Sequence, residues 1–132
     1  MTSLTSKRSL VLAILTPLWL VSGCSKSGSG GSGAIPEAAR KEAAEIFSTR
    51  CMTCHGATGR GDGPASAGLT PKPRNFHDPA WQSSATDIHI ETIIQFGGGS
   101  VGKSPAMPGN PDLVSKLEVV SALRAHIRNL GK

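Results

Sequence analysis

Residues 51–55 read CMTCH, two thiols three positions apart with an imidazole directly after the second. Four chemistries use such a set: a metal site, a dithiol–disulfide couple, a structural bridge, or a covalently held porphyrin. A structural zinc site needs four Cys or His ligands, usually as two separated pairs. No second CxxC and no HxxxH follows Cys54. A thioredoxin-type couple sits where a strand passes into a helix, whereas a helical pattern leads into Cys51. A plain disulfide suits an exported chain but gives His55 nothing to do. On a helical turn, positions i, i+3 and i+4 share a face. Cys51 and Cys54 can then form thioethers with two vinyl groups of one porphyrin, and His55 can reach its iron. One covalent haem c accounts for all three residues.

The iron then needs a sixth ligand or an open face. Met1 falls in the predicted leader, and Met52 lies inside the attachment motif and cannot cross the ring. Met107 remains, in the Pro-flanked stretch SPAMPG, 52 residues after His55. It is expected to be the second axial ligand. His77, His89 and His126 are assigned to surface or packing positions.

Three helical segments must position these groups. PEAARKEAAEIFSTRC (36–51) places Pro36 in a first turn and Glu37 near the positive end of the helix dipole. Ala39, Ala43 and Phe47, with Ala44 and Ile46 beside them, form its apolar face. GATGRGDGPASAGLTPKPRNFHDPAW (56–81) is dense in Gly and Pro and reads as a long loop that needs something to wrap around. TDIHIETIIQFGGG predicts a short helix from about Asp87, stopped by glycines. NPDLVSKLEVVSALRAHIRNLGK predicts one continuous helix: Asn110 caps it, Pro111 opens it, and Leu113, Leu117, Val120, Leu123, Ile127 and Leu130 form a stripe. No strand pattern of any length is present. The expected fold class is all-α, three or more helices with long loops around one haem.

The ends of the chain carry other information. Lys7 and Arg8 precede the apolar run SLVLAILTPLWLV, which reads as a leader rather than a membrane span. VSGC, ending at Cys24, resembles a bacterial lipobox, whose cysteine receives lipid. The odd count of three cysteines agrees, because lipid on Cys24 leaves Cys51 and Cys54 as a pair. Ser25–Gly33 is a Gly/Ser-rich tether of nine residues, about 30 Å when extended. The expected domains are therefore a lipoprotein signal peptide (1–23), a membrane tether (24–33) and a haem domain (34–132), facing the periplasm or the cell exterior. Without residues 1–23 the net charge falls from +5 to +3, with no Lys/Arg block to support nucleic-acid binding. The domain holds only four aromatics, Phe47, Phe76, Trp81 and Phe96. A core this lean calls for a large apolar cofactor.

These features together resemble the class I cytochromes c, bacterial monohaem ones with loops of the form GDGPA, PKPR and SPAMP, over about residues 36–131. The resemblance implies the cytochrome c fold and His55/Met107 ligation. It implies that Ala43 and Phe47 pack on the last helix at Leu123 and at position 126, where the family has an aromatic and this chain has His126. It also implies that a proline carbonyl, Pro71 or Pro73, accepts the proton on the other nitrogen of His55, and Arg74 and Trp81 are expected to meet the haem propionates. The function it implies is one-electron transfer between transient, membrane-associated redox partners, with no catalytic residues and no small-molecule substrate. Two alternatives remain: a fixed relay subunit of an oxidase or dehydrogenase complex, and a haem enzyme or gas sensor in which Met107 dissociates.

Overall fold

The computed structural model describes residues 34–132; the predicted leader, Cys24 and the Gly/Ser segment lie outside the described residues. All regular structure among the described residues is helical. Helix α1 spans Glu37–Ile46 and buries Ala39, Ala43 and Ile46. Ala44, expected beside them, is exposed. Beyond Ile46 the chain does not stop but widens into a π turn, Phe47–Cys51, and then tightens into α2, Met52–His55. The Ser48 and Thr49 hydroxyls both donate to the Glu45 carbonyl at 2.8 Å. Such back-bonding competes with the regular ladder. Each extra residue in a turn moves the following side chains about 100° around the axis, so the π turn sets the direction in which the CMTCH groups point.

The Gly/Pro-rich stretch is less irregular than its composition suggests. It contains α3, Pro79–Ser84, capped by the Asp78 carboxylate, which accepts from Ala80 N at 3.0 Å and Trp81 N at 3.3 Å. Asp followed by Pro at the first helical position is a helix-start signal; it was hidden by the glycines before it. The loop proper also finds its partners within the protein. Gly61 N donates to His55 O at 2.8 Å and Gly63 N to Cys54 O at 3.1 Å, so the loop satisfies the open carbonyl end of α2. Gly63 lies so close that a Cβ there would sit 2.5 Å from the Met52 and Thr53 oxygens.

Helix α4 spans Asp87–Phe96, as the sequence predicts, with Thr86 as its cap and Gly97 at φ +81° ending it. The final segment corrects the prediction of one continuous helix. Pro111–Leu113 forms an isolated 3-10 turn, the backbone breaks at Lys116 (φ −105°, ψ 60°), and α5 runs Leu117–Leu130. Asn110 does not cap α5; its amide donates to Ile94 O at 2.7 Å instead. The break turns Leu113 fully into the core and leaves Leu117, expected in the stripe, 65% exposed.

The core joins α1, α4 and α5. Ala39, Ala43, Ile46 and Phe47 meet Val119, Val120, Ala122, Leu123 and Ile127, with Ile90, Ile94, Phe76 and Leu113 beside them. Small alanines on α1 let it pack across α5 at close range. The expected aromatic contact at position 126 is made by the imidazole: the Phe47 and His126 rings lie edge to face at 4.4 Å. On the other side, Arg124 pairs with Asp87 and Glu91 at 2.6 and 2.8 Å, and Arg128 reaches Asp87, the Gln82 carbonyl and the Ala85 carbonyl. These arginines tie α5 to the start of α4 and the end of α3.

Candidate functional site

A single apolar-lined cleft brings the sequence-predicted groups together. Cys51, Cys54 and His55 line it from the π turn and α2, Arg74 and Trp81 from the loop and α3, and Met107 from the extended segment after α4. Cys51 and Met107, 56 positions apart in the chain, thus line one space, while Cys24 lies outside the described residues.

His55 is only 7% exposed. Its Nδ1 lies 3.2 Å from the Arg74 carbonyl, to which it donates, and its ring stacks on Phe76 at 4.6 Å. This corrects the expected acceptor: neither Pro71 nor Pro73 bonds the ring. Gly61 (φ +79°) approaches the Pro73 carbonyl too closely to allow a Cβ, and the next carbonyl, that of Arg74, is the one that reaches the ring. The bond fixes the tautomer and leaves Nε2 as the ring nitrogen available to the cleft. Burial pushes the imidazole below its ordinary pKa, so it is neutral at pH 7 and has a lone pair to offer.

Cys51 and Cys54 are unpaired and partly buried. Burial pushes the Cys51 thiol up to about 11. Among the described residues no three Cys, His, Asp or Glu side chains converge as a small-metal site. Met107 is held at both ends of its segment: Gly98 N donates to Met107 O at 3.0 Å, and Met107 N to Ser104 O at 3.3 Å. The Arg74 guanidinium lies 6.0 Å from the Trp81 ring and 3.5 Å from Asp78.

Part of the aliphatic lining was not singled out in the sequence. Ile90, Ile93 and Ile94 line the cleft from α4; their i, i+3, i+4 spacing is a signal that could have found them. His89, assigned to surface or packing, also lines the cleft. The charged lining is one-sided: Arg50, Lys72, Arg74 and Lys103 face it, and no Asp or Glu does.

A haem fits this set on the structure's own terms. The two thiols and one neutral imidazole sit on one wall, a thioether lies on a second segment, the interior is aliphatic, and the cations suit an anionic, propionate-bearing edge. A helical domain of this kind, closed around one such cleft, defines a haem-binding protein of the cytochrome c fold. The cytochrome c family model matches residues 41–131, and the chain belongs to that family. It is accordingly a protein of haem-based electron transfer, carrying one covalent haem c at the CxxCH spacing of Cys51, Cys54 and His55. No curated protein matches the chain in a sequence search.

Proposed function

We propose that this domain is a one-electron carrier in which His55 and Met107 hold the haem iron from two sides. The observation that carries the reading is that His55, fixed by the Arg74 carbonyl, and Met107, fixed by Gly98 and Ser104, line the same cleft. Bound there, haem c supplies a single one-electron couple. The chain's residues set its character. His55 Nδ1–H keeps the ring neutral and oriented. A thioether ligand favours the reduced state and raises the potential relative to a second imidazole. With His55 and Met107 both holding the iron, the chain would leave a substrate no side from which to bind it. Cys51 and Cys54 are only partly buried, so the attachment edge lies near the surface, where a partner can approach. Weak, short-lived docking suits such a carrier.

The reading extends to the cell envelope. Cys24, in VSGC, would carry lipid, and the Gly/Ser segment would hold the domain close to the membrane. No helix among the described residues is long and apolar enough to cross a membrane. Arg74 and Trp81 are proposed to meet the propionates. The test is Met107→Ala. The ferric wild type should show the weak red absorbance band of a thioether–iron bond, and the variant should lose it, fall in potential and bind carbon monoxide readily when reduced. An unchanged spectrum and potential would overturn the axial assignment.

A further inference from the structure

Arg50 directly precedes the first attachment cysteine, and its side chain crosses to the segment that follows Met107. Its Nη1 donates to both Asp112 carboxylate oxygens at 3.0 Å and to Asn110 Oδ1 at 3.2 Å. Asn110 is itself anchored: its N–H donates to Ile94 O and Gln95 O at 3.2 and 2.9 Å, and its Nδ2 to Ile94 O. Gly109 lies against the same helix end, where a Cβ would meet Gln95 O at 2.7 Å. The stretch 107–110 therefore rests on the C-terminus of α4, and Arg50 joins it to the π turn that carries Cys51. Among the described residues no other hydrogen bond or ion pair links residues 47–55 to residues 104–113.

We infer that Arg50 is a positioning residue that clamps the Met107 segment to the haem-attachment turn and so keeps the Met107 thioether on the iron. The inference rests on the axial reading of Met107. The physical reason is closure. His55 and Met107 belong to two separate walls of the cleft, and an axial bond survives only while those walls stay together. Within the α4 wall the segment is held by backbone bonds; between the walls the polar tie is Arg50. Without it, conformations with Met107 swung away gain population, and a competing ligand binds more tightly in proportion to that population. The two side chains are 46% and 49% exposed, so the clamp is open to screening by salt.

The experiment is an imidazole titration of the ferric holoprotein, read by loss of the red thioether–iron band. At low salt Arg50→Gln should bind imidazole about three- to tenfold more tightly than wild type, the range expected for a half-exposed charged tie with an added hydrogen bond. Arg50→Lys keeps the charge and should recover part of the difference. High salt should move wild type towards Arg50→Gln and leave that variant nearly unchanged. Arg40→Gln removes another exposed pair, the 3.2 Å contact with Glu37 inside α1. It should leave imidazole affinity where it is in wild type. Equal affinity of wild type and Arg50→Gln, or the same gain from Arg40→Gln, would overturn the clamp. If Met107→Ala binds imidazole no tighter than wild type, the axial reading fails and takes the clamp with it. If that variant does bind more tightly and Arg50→Gln does not, the clamp alone is wrong.

Discussion

His126→Phe should stabilise the protein, and more so in acid. His126 Nε2 is buried without a hydrogen-bond partner, alone in this respect among the described side chains. A desolvated, unsatisfied nitrogen costs about 1–3 kcal/mol. Its ring already meets Phe47 edge to face at 4.4 Å, so a benzene ring keeps the contact, and aromatic pairs contribute about 0.5–1.5 kcal/mol beyond their area. Against this, the larger ring must fit a packed helix interface, and overpacking costs about 1–3 kcal/mol. His126 is only partly buried, which keeps that cost towards its lower end, and a net gain of about 1 kcal/mol at pH 8 is expected. The pH dependence has a definite sign. Burial lowers the pKa of His126 in the folded protein, while the unfolded chain titrates near 6.5. Below about pH 6.5 the unfolded state takes up a proton that the folded state refuses, so wild type loses stability as pH falls until the folded pKa is reached. Phenylalanine has no proton to take up. The variant's advantage should therefore widen between pH 8 and pH 5. Guanidinium unfolding of both holoproteins at the two pH values measures it, and the titration of every shared group cancels in the difference. A variant no more stable than wild type at pH 8, with a gap that stays constant to pH 5, would refute the account of His126 as a strained substitute for an aromatic ring.

The other expectations follow from burial and from the attachment chemistry. Phe47 is 4% exposed at the α1–α5 contact, so Phe47→Ala should lose about 3–5 kcal/mol in denaturant unfolding; a loss below about 1 kcal/mol would mean that the ring does not hold the two helices. Acid–acetone extraction should leave haem on the protein, and Cys51→Ala or Cys54→Ala should sharply lower the yield of holoprotein, because the cofactor completes a lean core; haem that extracts from wild type would contradict thioether attachment. Full-length protein should fractionate with membranes and carry the mass of a lipidated Cys24, and Cys24→Ser should be released; recovery of both forms as soluble, unmodified protein would leave a diffusible carrier in place of a tethered one.

The chemistry of the site was legible in the sequence because it is local. One helical turn puts Cys51, Cys54 and His55 within reach of one porphyrin, and Met107, which counting methionines picks out, lines the same cleft. Apolar periodicity likewise located α1, α4 and most of α5, since a repeat near 3.6 residues marks a buried face wherever that face comes to rest. Closure across the chain was another matter. That His55 donates to Arg74 and not to a proline depends on the path the loop takes past the ring. The same holds for the break at Lys116, which trades one helical turn for the full burial of Leu113. His89 in the cleft lining and Arg50 bonded to Asn110 and Asp112, 60 and 62 residues away, leave no mark on any local pattern. Periodicity reports which side of an element is apolar; only packing decides which elements meet, and therefore which polar groups find one another.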